Sequence, residues 1–306
     1  MIIFEGKYNE IFINRKTVIA LGTFDGIHFG HRKIIEGAVK EAKTNNLNSA
    51  VLTFKKPVFS YFNKNATNYL INPIDIKTEI ISSLGVDYLI YVDLEDGFIN
   101  LPPEQFLEYL KHNLNAEIIV CGYNYTFGKN AQGDIEYLKE NAEKYNINVI
   151  VFEEILMENL RVSSSLIREC LLSGDVELAN KLLGYNYYLK GRVIRGKSLA
   201  SRLGFATANI IVDRNLCLKN GVYITLTHYK GNSYPSITNI GYNPTFEQKQ
   251  RVCETHILKF EKNIYDKIIK IEFMKYLREE RKFNSIFDLQ SRIKKDIKLA
   301  ENYFKI

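Results

Sequence analysis

Residues 17–46 read TVIALGTFDGIHFGHRKIIEGAVKEAKTNN. The β-favouring run TVIALG (17–22) stops at a glycine, and HRKIIEGAVKEAKTNN (31–46) then alternates polar and apolar residues with helical period. The stretch is a buried strand, a tight turn and an amphipathic helix. The same alternation recurs downstream. SAVLTF (49–54), DYLIYV (87–92), EIIVCG (117–122) and NVIVF (148–152) are short apolar strands, with helical patterns around residues 75–84, 103–113 and 134–145. Strands alternating with helices predict a parallel sheet covered on both faces, whose ligands bind beyond the carboxyl ends of the strands. The turn at 22–31 lies at such an end.

Two further helices, SSSLIRECLLSG and DVELANKLLG, stop at Gly174 and Gly184, and the first begins at serines suited to N-capping. Beyond Gly184 the texture changes to strand-like pieces separated by Gly, Pro and Asn turns, the pattern of an antiparallel barrel or sandwich. A polar–apolar pattern from Ser285 to Phe304 predicts a terminal helix. The expected domains are 1–184 and 185–306.

Composition narrows the function. The chain has 306 residues, 46% hydrophobic and 25% charged, an ordinary globular balance. No positively charged leader followed by an apolar stretch is visible at the N-terminus, and no apolar run approaches the ~20 residues of a membrane span. Cys121, Cys170, Cys217 and Cys253 are scattered without CxxC spacing, as expected of reduced thiols in a cytoplasmic protein. The net charge of +6 suits anionic small molecules, and no basic stripe or helix-turn-helix points to nucleic acid.

Two of the chain's five histidines, His28 and His31, fall in the first turn. A strand–helix junction offers free backbone N–H groups and the positive end of a helix dipole. Gly22 and Gly30 allow close approach of an anion, and imidazoles can donate to charge developing on a phosphoryl group. Zinc is the rival reading, but His112, His228 and His256 lie in unrelated segments. A plain helix-start pair is the third.

GTFDGIHFGH (22–31) resembles the HxGH motif of the nucleotidyltransferase superfamily, in the form found in prokaryotic bifunctional riboflavin kinase/FAD synthetases. CGYNYTFGKNAQGD (121–134) and RVSSSLIREC (161–170) resemble two further blocks of that family, with Val162 in place of the usual Ile. The resemblance implies a nucleotidyltransferase-type α/β domain that transfers AMP from ATP to FMN. His28 and His31 would then be catalytic. Gly22, Phe24, Asp25, Gly30, Asn124, Arg161, Ser164, Ser165 and Arg168 would bind nucleotide and phosphate, with Mg²⁺ bridging the phosphates.

GRVIRGKSLASRLGFATANI (191–210), NIGYNPTF (239–246), ETHILKF (254–260) and LREERKF (277–283) resemble the family's kinase blocks in the right order. They imply a riboflavin kinase-like β-barrel. Glu254 would be its base, Thr207 and Asn209 its metal ligands, and Gly196, Lys197, Asn209 and Arg278 its nucleotide and flavin contacts. The sequence departs from the family where Ala206 replaces a proline and where Ala200 and Ser201 replace a Gly-Arg pair, Arg202 following one position late. An FAD synthetase whose kinase-like domain only binds flavin is therefore an alternative. Others are a flavin-sensing or nucleic-acid-binding regulator and a different nucleotidyltransferase, such as a cytidylyltransferase. In the principal reading the partners are small molecules: ATP, riboflavin, FMN and FAD. No nucleic acid or membrane is expected.

Overall fold

In the first half, strand and helix periods alternate along the backbone as they do along the sequence. The computed structural model describes every residue except 64–66, 68, 95–96, 158, 196–204, 244–249, 282 and 284. Elements run β1 (Ile2–Gly6), β2 (Thr17–Leu21), α1 (Phe29–Thr44), β3 (Asn48–Thr53), α2 (Val58–Phe62), α3 (Ile74–Ser83) and β4 (Tyr88–Val92). Then follow α4 (Pro103–Glu108), β5 (Ala116–Gly122), α5 (Ile135–Ala142) and β6 (Asn148–Phe152). The six strands form one sheet in the order β1-β4-β3-β2-β5-β6, and every pairing is parallel. All five residues of β2 are buried, as a strand covered on both faces requires. Ile19, Leu52 and Ile119 share one core with Phe106 and Leu110. Each such side chain stabilises the fold by ~1.5–3 kcal/mol relative to exposure.

From β2 the chain steps to β3 on one side, and it returns to β5 on the other. The carboxyl ends of β2 and β5 therefore border the crevice where strand order reverses, the usual ligand position of such sheets. The helix expected over 103–113 is α-helical only to Glu108. It widens into a π-turn at Tyr109–Asn113, where Leu114 N donates to Tyr109 O at 3.4 Å. A two-residue-per-strand hairpin follows, β7 (Leu156–Met157) with β8 (Leu160–Arg161).

Contacts divide the chain into Met1–Ser164 and Ser165–Ile306. Helices α6 (Ser164–Ser173) and α7 (Val176–Leu183) thus fall almost wholly in the second unit, although the sequence texture changes only at Gly184. The reason is local bonding. Lys219 N donates to Leu171 O at 2.9 Å, and Asn180 bridges Tyr187 N (2.7 Å) and Phe273 O (2.8 Å).

The second unit continues with β9 (Tyr188–Arg192), β10 (Ala208–Ile211), β11 (Gly221–Tyr229), β12 (Asn232–Asn243), β13 (Gln250–Ile257), β14 (Ile268–Arg278) and α8 (Ile286–Phe304). Its strands pair antiparallel in the order β10-β13-β12-β11-β14-β9. Ile194 N donates to Asn209 O at 2.8 Å, drawing the two edges together into a nearly closed barrel. Closure of this kind removes exposed strand edges. Val222, Ile224 and Ile237 pack with Ile297, Ala300 and Phe304 of α8. The alternate positions carry buried hydroxyls: Thr225 bonds Ser236 (2.9 Å) and Thr238 (2.8 Å), and Thr238 bonds Thr255 (2.9 Å). Pairing every hydroxyl offsets the cost of burying it.

Candidate active sites

The turn after β2 is built from conformations that side chains rarely adopt. Phe24 and Ile27 have φ of 43° and 40°, with Gly26 at 80° between them. Left-handed backbone at non-glycine residues costs about 1–3 kcal/mol each and persists only where the surroundings impose it. Here they do. Phe24 and Ile27 are fully buried. A Cβ on Gly22 would lie 2.9 Å from the Phe24 ring, and one on Gly26 would lie 2.9 Å from Ile71. Gly22 thus makes room for an aromatic ring.

The turn's carbonyls are also held. Ser164 Oγ donates to Asp25 O at 2.8 Å. Thr53 Oγ1 donates to Thr23 O at 2.9 Å, and Lys77 Nζ to the same oxygen at 2.8 Å. Lys77 further donates to Thr53 Oγ1 (2.9 Å) and Phe54 O (2.7 Å). Burial draws its ammonium down to about 7, opposed by the charge of Asp25, itself 5% exposed.

His28 is the N-cap of α1, its Nδ1 accepting from His31 N at 3.2 Å. In a neutral ring that bond places the hydrogen on Nε2. The His28 and His31 rings stack with centroids 3.6 Å apart and 18° between planes, and Phe24 meets His31 edge-on at 5.3 Å. Gly30 lies beneath this stack; a Cβ there would sit 3.2 Å from His28 Cε1. Beyond β5, the exposed Asn124 places its side-chain oxygen 3.6 Å from where a Gly122 Cβ would be.

Arg161 is engaged in a surface cluster. Its Nε lies 2.9 Å from Glu154, its guanidinium 5.4 Å from the Tyr123 ring, and Tyr123 OH donates to the same carboxylate at 2.7 Å. Ser165 and Arg168 stand further along α6, in the second unit.

In the barrel, Glu254 is opposite Asn209 on β10 and Asn239 on β12, so the three lie side by side across the sheet. The buried oxygens Asn209 Oδ1 and Asn239 Oδ1 have no hydrogen-bond partner among the described residues. Asn209 Nδ2 reaches back to Thr207 O and Oγ1 at 3.4 and 3.5 Å, which aims the two residues together. Ala206, where the family has proline, is tied by its carbonyl, 2.9 Å from His256 Nδ1. Arg278 is committed to α8: its Nε and Nη2 lie 3.0 and 2.7 Å from Asp296 Oδ2, and Arg292 Nε is 3.0 Å from Oδ1. Gly196, Lys197, Ala200, Ser201 and Arg202 lie outside the described residues.

Lys77, Asn239 and Asp296 were not singled out from sequence. Lys77 had a signal. It shares a helical stripe with Ile80 and Ile81, where the period puts core residues.

Comparison with known proteins bears on both units. A family model described as FAD synthetase matches residues 11–166, and one described as riboflavin kinase matches residues 183–304. A protein of Buchnera aphidicola (subsp. Schizaphis graminum) is 33% identical over the whole of both chains. One of Bacillus subtilis is 36% identical over 94% of this chain and 93% of its own. Both are described as bifunctional riboflavin kinase/FMN adenylyltransferase. A solved structure from Streptococcus pneumoniae, described as a macrolide-efflux protein, matches 99% of both chains at 29% identity with a TM-score of 0.86. Among the described residues no helix is long and apolar enough to cross a membrane.

Proposed function

The chain belongs to the bifunctional riboflavin kinase/FMN adenylyltransferase family, and we propose that the strained turn carries its adenylyl transfer and the Glu254 row its phosphorylation. The protein is an enzyme with ATP, riboflavin, FMN and FAD as substrates and products. Both family models and full-length bifunctional relatives favour two activities, and nothing favours the monofunctional alternative.

In the second step an oxygen of the FMN phosphate attacks the α-phosphorus of ATP, and the bond to pyrophosphate breaks. The nucleophile is already anionic, so no proton need be removed, and positioning and charge stabilisation supply the catalysis. His28, with Nδ1 occupied by the cap bond, offers its Nε2–H to the charge that develops, and His31 lies against it. That pairing at the carboxyl end of β2 carries the reading. Phe24 and Asp25 shape the turn, and Ser164 anchors it. By their place in the matching block, Asn124, Arg161, Ser165 and Arg168 are assigned to nucleotide and phosphate.

In the first step the terminal ribityl hydroxyl attacks the γ-phosphorus of ATP, the bond between the γ-phosphorus and the β,γ-bridging oxygen breaks to release ADP, and the hydroxyl's proton passes to Glu254. The residues present suit Mg²⁺. Asn209 Oδ1 is a buried oxygen without a partner among the described residues, and Thr207 Oγ1 is a second hard ligand beside it. When bound, the ion supplies charge neutralisation on the ATP phosphates. A reducing cytoplasm fits the four buried free thiols. The test is a time course from riboflavin and ATP resolving riboflavin, FMN and FAD. The account expects FMN to rise before FAD. Absence of FMN from riboflavin, with FAD still made from supplied FMN, would restore the flavin-binding-only alternative.

A further inference from the structure

In the first unit the mechanism leaves the buried cation of α3 unused. Lys77 is 5% exposed on α3, a helix whose neighbouring positions Ile76, Ile80 and Ile81 are buried. A lysine in such a stripe is costly to bury unless all three ammonium hydrogens are bonded. They are, and each bond goes to the frame of the His turn: Thr23 O at 2.8 Å, Thr53 Oγ1 at 2.9 Å and Phe54 O at 2.7 Å. Thr23 immediately precedes Phe24, where the backbone turns left-handed.

We propose that Lys77 is a positioning residue for adenylyl transfer: its ammonium pins the start of the turn to the end of β3 and so imposes the conformation in which His28 caps α1 and presents Nε2. This rests on the assignment of that turn to adenylyl transfer. The clamp needs three N–H groups, and a neutral amine has two. The charged and titratable groups acting on Lys77 are Asp25 and Tyr91, whose ring lies 5.8 Å from Nζ; Glu5 acts in turn on Tyr91. Burial brings the ammonium down to about 7, opposed by Asp25, so the clamp loosens as pH rises from neutral.

The test uses the full chain with Lys77→Met and Thr53→Val, the latter keeping the ammonium while removing one of its acceptors and the Thr53 hydroxyl's own bond to Thr23 O. Lys77→Met is expected to lower kcat for FAD formation from FMN by about tenfold or more, with KM for ATP moving less than about threefold, because misplacing a donor taxes the transition state. Riboflavin phosphorylation should stay within about twofold of the parent, being the work of other residues. The parent's rate of FAD formation should decline from pH 7 to 9, and Lys77→Met should lack that decline. A purely structural lysine would not move the pH profile. Thr53→Val should slow FAD formation about threefold, and it decides the matter if Lys77→Met fails to fold. Parental FAD kinetics in either folded variant, or an unchanged alkaline limb in Lys77→Met, overturns the proposal. His28→Asn run alongside separates the premises. If it is slow while Lys77→Met is normal, only the clamp fails; if His28→Asn itself is normal, the assignment of the turn fails.

Discussion

The imidazoles of His28 and His31 lie face to face, their centroids 3.6 Å apart, because Nδ1 of the first accepts the backbone N–H of the second. One residue therefore does two jobs: it caps a helix and offers a hydrogen-bond donor. Substitution can separate them. Asparagine is a good N-cap without an imidazole, whereas alanine is neither. His28→Asn is expected to keep the stability of the first unit. His28→Ala should lose about 1 kcal/mol, or about 2–4 °C in its unfolding midpoint. Thermal unfolding of the two variants checks this, and equal midpoints would show that the cap contributes nothing.

Gly30 separates stability from geometry in the opposite sense. Alanine is the better helix former by about 1 kcal/mol. Its Cβ, however, would meet His28 Cε1 at 3.2 Å and Nδ1 at 3.3 Å, tighter than ordinary contact. Gly30→Ala should thus leave the first unit as stable or more so while slowing FAD formation about tenfold, since small displacements of catalytic groups are expensive. Steady-state rates and melting curves on one preparation test both halves.

Lys77 sets a pH dependence whose sign can be worked out. Its ammonium falls from 10.5 to about 7 on folding. Below pH 7 both folded and unfolded chains carry the proton. Between about 7 and 10.5 the unfolded chain carries it and the folded chain does not, so the unfolded state binds more protons and stability rises with pH. From pH 7 to 9 the parent should gain about 2–3 kcal/mol relative to Lys77→Met. Denaturant titrations at the two pH values measure it, and a gain of the opposite sign would contradict the burial argument. Stability and FAD formation then move in opposite directions above neutrality.

In the second unit, Arg278 and Arg292 converge on Asp296, which is 2% exposed. Removing one partner of a buried pair costs about 3–5 kcal/mol, because the other charge stays buried. Asp296→Ala should destabilise the barrel by that order and lower riboflavin phosphorylation, with FAD formation from supplied FMN unaffected. Arg278→Met and Arg292→Met combined with Asp296→Leu should recover much of the loss, as apolar replacements of buried ion pairs and triads often do.

How far the fold could be read from sequence follows from what each feature depends on. β2 and α1 were legible because a fully buried strand leaves an unbroken apolar run and a half-buried helix leaves a stripe. β1 was not: it is five residues on a sheet edge, and Ile2 and Ile3 stay exposed, so no pattern marks it. The β7–β8 hairpin, two residues on each strand, is too short for any period. The π-turn after α4 includes a bond from Leu114 to Tyr109, and among the described residues barrel closure includes one from Ile194 to Asn209. Neither is a property of local sequence. The site divides likewise. GTFDGIHFGH announced the histidines, but the room made by Gly22 and Gly30, and the tether from Lys77 across 54 positions to Thr23, exist only after folding. The pairing of Asp296 with Arg278 was invisible for the same reason, the two lying on different elements, whereas its pairing with Arg292 is an ordinary i,i+4 helix spacing.

The most direct test is a crossed pair of substitutions, His31→Ala and Glu254→Gln, each assayed for FMN from riboflavin and for FAD from supplied FMN. The account predicts that His31→Ala lowers FAD formation about 100-fold and leaves phosphorylation intact, while Glu254→Gln does the reverse. If either variant slows both reactions alike, or the two effects exchange places, then the turn and the Glu254 row do not divide the chemistry as described.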